Sequence, residues 1–173
     1  FDTLFQLLIR LLSATATRIN EALNLQVTDV DRVLAVLHLR STKAGEAQTV
    51  PLTSAVLAIL AELEGFRREG NPYLFPASRG SGPMAPPYKK LRKLLADAGL
   101  DPAGFHLFRK TVATHAMTLP GADLLTVSRM LRHKSIRTTE FHYLATPQTR
   151  LRQAANDVGD FLQARLQGRV AMT

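Results

Sequence analysis

The sequence predicts a mostly α-helical domain with a small antiparallel β-sheet, which is an α+β fold. Apolar residues recur at helical spacing through most of the chain. One stretch alone, residues 33–52, is rich in residues that favour strands, and turn residues divide it into two halves. A chain of 173 residues has the length of one domain with its own hydrophobic core. We therefore treat residues 1–173 as a single domain.

The first third of the chain predicts two helices and a hairpin. Helical periodicity covers residues 1–12, and a second helix covers 18–25, with Thr15 or Thr17 as its N-cap. A β-favouring run follows, then the turn residues STKAGE and a returning strand. The predicted hairpin has strands at 33–39 and 48–52 and its tip at 43–46.

The middle of the chain predicts a helix and then a long loop. Thr53 is placed to cap a helix that runs to residue 66. Residues 70–87 are rich in Gly, Pro and Ser and predict a loop, with a short apolar plug at 73–75. The inward face of the capped helix is expected to carry Val56, Leu57, Leu60 and Leu63.

The last part of the chain predicts five helices. The first, at 89–98, has Leu91, Leu94 and Leu95 inward and is ended by Gly99. Pro120-Gly121 separates the next two helices, and Thr146-Pro147 starts the last one. These four helices are expected at 106–118, 123–131, 136–143 and 147–166.

The composition favours an anionic polymer as partner. The chain has 22 Lys and Arg against 14 Asp and Glu, a net charge of +8. Such an excess of basic residues indicates a nucleic-acid partner more than a surface that serves solubility alone. One face of the 89–98 helix is a candidate for contacting the backbone of DNA, and a solvated helix face is the alternative reading. That face carries Lys89, Lys90, Arg92 and Lys93.

Several classes of protein are disfavoured. The chain has no cysteine, which excludes disulfides and zinc–thiolate sites and makes the cytoplasm the expected location. No apolar run reaches the ~18 residues that span a membrane, and no signal peptide is visible. The five histidines form no metal-binding pattern, so we expect no metal. Motifs of serine hydrolases and of nucleotide-binding loops are absent. Because the first residue is Phe, we expect a fragment with segments missing upstream.

Several stretches in order resemble the catalytic domain of the tyrosine recombinases, the phage integrase family. They are TATRINEALNL, the lysine of RSTKAGEAQTVPL, YLFP, HLFRKTVATHAM and GADLLTVSRMLRHKSIRTTEFHY. The resemblance covers nearly the whole chain and implies the fold of that catalytic domain. It also implies that the family's N-terminal DNA-binding domain is absent from this chain.

The resemblance implies a role for each matching residue. Arg18 and Arg109 resemble the arginines that hold the scissile phosphate, and Glu21 resembles an acidic residue that buttresses them. Lys43 resembles the hairpin lysine that protonates the leaving 5′ oxygen. His106 and His133 resemble the two histidines that support phosphate binding and proton transfer. Tyr143 resembles the nucleophile.

The chain departs from the family pattern at three places. The usual glycine before Arg18 is Ala16, and the usual glycine before the second histidine is Arg132. The tyrosine lies ten residues after that histidine, where nine is common and His142 would be the match. Some phage-type members share the longer TTExHY spacing, so Tyr143 is kept as the expected nucleophile and His142 as its neighbour.

The implied function is site-specific DNA recombination or integration through a covalent 3′-phosphotyrosyl intermediate, without a cofactor. The expected partner is double-stranded DNA, on which the family assembles as a tetramer. The free chain is a candidate monomer. The helix at 147–166 either passes to a neighbouring subunit or packs on its own domain. Two alternatives stay open, a type IB topoisomerase-like enzyme and a non-catalytic DNA-binding remnant of an integrase.

Overall fold

The computed structural model describes residues 2–40 and 48–132. Six α-helices and three β-strands lie in this part of the chain, with two short 3₁₀ turns at Val27–Asp29 and Glu64–Phe66. The helices are α1 (Thr3–Thr15), α2 (Ile19–Leu23), α3 (Ser54–Leu63), α4 (Tyr88–Asp97), α5 (His106–Ala116) and α6 (Leu124–Met130). The strands are β1 (Val30–Asp31), β2 (Val36–Leu39) and β3 (Gln48–Pro51). The predicted α+β class is confirmed.

Helix α1 is the central element of the hydrophobic core. Its N-cap is Asp2, whose carboxylate accepts a hydrogen bond of 2.9 Å from the backbone N–H of Phe5. The leucines of α1 recur at helical spacing and four of them are almost fully buried. The helix packs against α2, α3 and α5. It ends at Thr15, and the turn that follows leads into α2.

The sheet has three antiparallel strands in the order β1-β2-β3. The predicted hairpin is confirmed, with Leu37 opposite Val50, but its first strand begins at Val36 and not at residue 33, because residues 32–35 form the turn between β1 and β2. Leu37, Leu39 and Val50 point into the core, as the period-2 alternation of strands requires. The two-residue strand β1 was not predicted. The tip of the hairpin lies outside the described residues.

The helix that follows the hairpin begins and ends close to its predicted limits. Thr53 caps it, and its hydroxyl accepts a hydrogen bond from the backbone N–H of Val56. One inward residue was predicted wrongly, since Ile59 is buried and Leu57 is partly exposed. A helix face follows the spacing i, i+3, i+4 and i+7, which selects residues 56, 59, 60 and 63, so the helical period itself favours Ile59 over Leu57.

The apolar plug of the long loop is buried as predicted. Leu74 and Phe75 are almost fully buried, and the backbone N–H of Leu74 donates to the carbonyl of Leu25 at 2.9 Å. This bond ties the loop to the segment after α2. Within the described part of the chain, no helix is long and apolar enough to cross a membrane. The helices predicted at 136–143 and 147–166 lie outside the described residues.

Two glycines offer a matched test of this backbone. Gly99 ends α4 with φ +67°, whereas Gly65 lies in a 3₁₀ turn without a positive φ, and a Cβ at either would meet no atom within 4 Å. We expect Gly99→Ala to lower the free energy of unfolding by about 1 kcal/mol, because a Cβ disfavours left-handed backbone. Gly65→Ala should raise it by about 0.5 kcal/mol by restricting the unfolded chain. Denaturant unfolding measures both, and shifts of the same sign would contradict this backbone.

Candidate active site

Arg18 is the N-cap residue of α2, at the start of a helix that packs on α1. The carboxylate of Glu21 accepts two hydrogen bonds from it, one from the backbone N–H at 2.8 Å and one from the guanidinium at 2.6 Å. Half of the Arg18 side chain is exposed. Glu21 therefore fixes the base of an arginine that still reaches solvent.

The turn between α1 and α2 is held by its own hydroxyl groups. The hydroxyl of Thr15 donates to the carbonyl of Leu11 at 2.7 Å and lies 2.9 Å from the hydroxyl of Thr17. The prediction that Thr15 or Thr17 caps α2 is therefore wrong, because Arg18 is the N-cap and Glu21 accepts its backbone N–H. Between the threonines, Ala16 has φ 50°, the left-handed conformation that glycine usually supplies.

Arg109, on α5, is the buried arginine of the site and is only 2% exposed. Its guanidinium donates to the carbonyl of Ala16 at 2.6 Å and also to the carbonyl of Leu131, just after α6. His106 begins α5 and is exposed, three residues before Arg109 and so on the same side of the helix. Arg109 thus joins the turn that precedes Arg18 to the end of α6.

Arg132 also lies beside Glu21 and the turn before Arg18, although the sequence analysis did not assign it to the site. Its φ is 55°, so it too occupies a left-handed position where the family resemblance expects glycine. Its side chain is 8% exposed and turns back toward α2, where its guanidinium lies 3.6 Å from the Glu21 carboxylate. The one sequence signal was an arginine in place of glycine, which predicts an unusual backbone but not where the side chain goes.

Glu21 is the carboxylate between Arg18 and Arg132. Burial by itself would raise the pKa of Glu21, but hydrogen bonds from the backbone and guanidinium of Arg18, with the charge of Arg132, outweigh it and lower the pKa below its ordinary value. Glu21 is therefore ionised at neutral pH. Burial lowers the pKa of the Arg132 guanidinium, Arg18 adds to that lowering, and Glu21 opposes it. Arginine nonetheless keeps its charge at neutral pH.

The end of β2 nearest the hairpin tip is anchored to the 3₁₀ turn at Val27–Asp29. Arg40 directly follows β2, and its Nε donates to the carboxylate of Asp29 at 2.8 Å. Asp29 is buried and also accepts the backbone N–H of Gln26 at 2.8 Å. The described chain stops at Arg40 and resumes at Gln48, so Lys43 lies outside the described residues.

The four basic residues predicted to contact DNA lie on α4. Lys89 and Arg92 are exposed, Lys90 pairs with Asp2, and Lys93 pairs with Asp97 at 3.0 Å. Leu91 and Leu95 are buried on the opposite side of the helix. The helix therefore presents the predicted basic face, although two of its four charges are already paired. Its contact with DNA stays a prediction.

The structure brings Arg18, Glu21 and Arg109 together, whereas His133 and Tyr143 lie outside the described residues. Two guanidinium groups, those of Arg18 and Arg132, lie within 4 Å of the Glu21 carboxylate, and Arg109 shares the carbonyl of Ala16 with Arg132, so the cluster carries an excess of positive charge. Such a cluster suits the non-bridging oxygens of a phosphate. Among residues 2–40 and 48–132, no group of three or more His, Asp or Glu is placed to hold a metal ion.

Comparison with known proteins gives one consistent family. The sequence pattern described as the phage integrase family matches residues 2–150. Tyrosine recombinase XerA of Pyrococcus furiosus is 29% identical over 145 residues, which are 82% of this chain and 50% of that protein. Tyrosine recombinase XerA of Saccharolobus solfataricus is 32% identical over 138 residues, 79% of this chain and 44% of that protein. The chain thus spans about half the length of these relatives.

Solved structures show the same fold. The crystal structure of XerH site-specific recombinase bound to a palindromic difH substrate, a post-cleavage complex, superposes with a TM-score of 0.70 at 25% identity. The match covers 90% of this chain and 47% of that one. The predicted catalytic-domain fold is therefore confirmed.

Proposed function

Because the chain belongs to the phage integrase family, we propose that it is the catalytic domain of a site-specific DNA recombinase, an enzyme that cuts and rejoins DNA strands. The observation that carries the proposal is the convergence of Arg18 and Arg109 on one turn, with Glu21 buttressing Arg18. In the proposal, residues 1–173 form one catalytic domain that acts without a metal or other cofactor.

The arginines have the properties that phosphodiester exchange requires. In the transition state, negative charge grows on the non-bridging oxygens, and each fixed donor aimed at them is worth about 10²–10³ in rate. Arg18 is half exposed and held at its base by Glu21, so its guanidinium is oriented before DNA binds. Arg109 is rigid because it is buried and donates to two backbone carbonyls. We assign phosphate binding to this pair, supported by His106 and His133.

The proposed nucleophile is Tyr143. Its phenol oxygen forms a bond to phosphorus while the bond to the 5′ oxygen of the next nucleotide breaks, leaving a 3′-phosphotyrosyl link and a 5′ hydroxyl. A histidine or water takes the phenol proton, and Lys43 supplies the proton that the 5′ oxygen needs. An ordinary phenol has a pKa of ~10, so nearby cations are needed to favour the phenolate. The phosphotyrosyl link conserves the energy of the broken phosphodiester bond, so a 5′ hydroxyl can attack the link and rejoin the strand.

Duplex DNA is the proposed partner. The XerH structure is a complex with its DNA substrate, and this chain carries a net charge of +8. Lys89, Lys90, Arg92 and Lys93 are the proposed contacts to the DNA backbone. We further propose a tetramer on DNA, in which the segment 147–166 either passes to a neighbour or packs on its own domain.

A covalent trapping experiment tests the function. The chain is incubated with a pool of duplexes that carry a randomised central segment and a nick, so that the short 5′-hydroxyl fragment diffuses away after cleavage. We expect a protein–DNA product that survives denaturing electrophoresis, and sequencing of its DNA gives the target site. A recombinase should give a defined site and exchange strands between two duplexes.

Each of the other outcomes would indicate a different function for this chain. Relaxation of supercoiled plasmid without a defined site would favour a type IB topoisomerase-like enzyme. DNA retention without any covalent product would favour a non-catalytic remnant, the alternative suggested by Ala16 and Arg132 at the two glycine positions. DNA binding that is insensitive to salt would contradict all three readings, the recombinase included, because contacts to phosphates release counterions and weaken as salt rises.

A further inference from the structure

We propose that Arg132 is a positioning residue, one that holds the two turns of the candidate active site together and keeps the Arg18–Glu21 pair in place. The inference rests on the proposed recombinase function and assigns a role within it to a residue at a position where the family resemblance expects glycine.

The guanidinium of Arg132 has contacts on both sides of the site. It donates to the carbonyls of Thr15 at 3.4 Å and Ala16 at 3.3 Å, both in the turn before Arg18. It also donates to the carbonyl of Met130 at 3.1 Å, at the end of α6. One side chain therefore links two turns that are more than 100 residues apart in sequence.

The backbone of Arg132 indicates that these contacts compensate for an unfavourable conformation. Its φ of 55° is one that glycine adopts readily and that a Cβ disfavours. Arg109 donates to the preceding carbonyl, that of Leu131, and so fixes the chain at the same turn. Glycine would fit this backbone with less strain but would bring no guanidinium into the site.

The orientation of the side chain leaves one of its donors unused. The Nε of Arg132 is buried and has no hydrogen-bond acceptor among the described residues. Arginine normally satisfies all its donors when buried. The guanidinium is thus placed for the two carbonyls of the turn and for Glu21, which leaves Nε without an acceptor.

The charges around Glu21 explain how Arg132 acts on Arg18. From the start of α2, Arg18 contacts Oε1, and from the end of α6, Arg132 lies 3.6 Å from Oε2. Arg109, on α5, shares the carbonyl of Ala16 with Arg132, and His106 lies on the same side of α5. Because two cations share the carboxylate, less of the Arg18 charge is neutralised and more remains for a phosphate.

The test uses Arg132→Gly and Arg132→Lys in the full chain, with the nicked duplex recovered from the trapping pool at saturating concentration. Arg32→Gly in the exposed turn after β1 is the matched control, since it removes the same charge from a position outside the site. We expect Arg132→Gly to form covalent product about 10- to 100-fold more slowly, as a misplaced reacting group does. Arg132→Lys should be intermediate, because it keeps the charge without the planar fork. The control should match the wild type.

The pH profile separates positioning from a merely structural role. Arg132 and Arg18 stabilise the ionised form of Glu21, so loss of Arg132 raises the pKa of that carboxyl. Glu21 then protonates at a higher pH, and the acid side of the rate profile should move upward in Arg132→Gly but stay near wild type in Arg132→Lys. If Arg132 had only a structural role, Arg132→Gly would lower the melting temperature without moving the acid side of the rate profile.

The outcomes are distinguishable. A wild-type chain that forms no covalent product would overturn the proposed function and this inference with it. The inference alone would be overturned if the wild type cleaves and both Arg132 variants match its rate and the acid side of its pH–rate profile. If Arg132→Gly does not fold, the rate of Arg132→Lys decides, and a wild-type rate there overturns the inference.

Discussion

Tyr143→Phe is expected to abolish the covalent protein–DNA product. The substitution removes a single oxygen, the atom that bonds to phosphorus in the proposed mechanism. Without that atom the covalent link cannot form. Removal of a nucleophile in a comparable covalent mechanism costs about 10⁶ in rate, which places the product below detection on a gel. DNA retention should be unchanged, because a phenylalanine of nearly the same shape keeps every charge that contacts phosphates.

The chain offers matched controls for this prediction. Tyr73→Phe and Tyr88→Phe delete the same oxygen from a half-buried and an exposed tyrosine, and both should give wild-type amounts of product. His142→Asn tests the neighbour that occupies the commoner spacing. Product that persists in Tyr143→Phe and disappears in His142→Asn would move the nucleophile to the histidine and contradict the assignment.

Arg109→Met is expected to impair both stability and cleavage. Methionine fills a similar volume but donates no hydrogen bond, so the carbonyls of Ala16 and Leu131 lose a buried donor. The carbonyl of Ala16 keeps Arg132 as a donor, but each hydrogen bond lost from a charged donor costs about 1.5–3 kcal/mol, so we expect a loss of about 2–5 kcal/mol in the free energy of unfolding. Covalent product should form about 10²–10³-fold more slowly even where the variant is folded.

Denaturant unfolding and single-turnover cleavage measure these two effects separately. Arg10→Met is the control, since Arg10 makes an exposed pair with Glu62 at 2.8 Å and such pairs contribute only about 0–1 kcal/mol. Arg109→Lys keeps the charge but cannot reach both carbonyls in the same way, so it should recover part of the stability. If Arg109→Met were as stable as Arg10→Met, Arg109 could not be the link between the two turns.

Local sequence patterns predicted the elements of this fold well. Thr53 marked the start of α3, Gly99 the end of α4, and the two β-favouring runs marked the paired strands of the hairpin. Two of the failures concern the choice of a residue within a correctly predicted element. The helical period favours Ile59 over Leu57, and the N-cap of α2 is Arg18, not a threonine, because Glu21 accepts its backbone N–H. The two-residue strand β1 is too short to have a period.

The candidate site was predicted from a resemblance rather than from periodicity. Arg18 and Arg109 were proposed because they occupy matching motif positions. Their meeting depends on a hydrogen bond between residues 93 apart in sequence, which no local pattern encodes. Arg132 shows the reverse problem. It stood out as a departure from the motif, but its contacts with Glu21 and the α1–α2 turn are apparent only in three dimensions.

The acceptor shared by Arg109 and Arg132 is a main-chain oxygen, the carbonyl of Ala16. Every amino acid carries that atom, so no codon change deletes it. Replacing the Ala16 side chain would therefore report on its burial and its left-handed backbone and not on the junction itself. Exchanging the following amide for an ester weakens that carbonyl as an acceptor, and this backbone chemistry reaches what conventional mutagenesis leaves untouched.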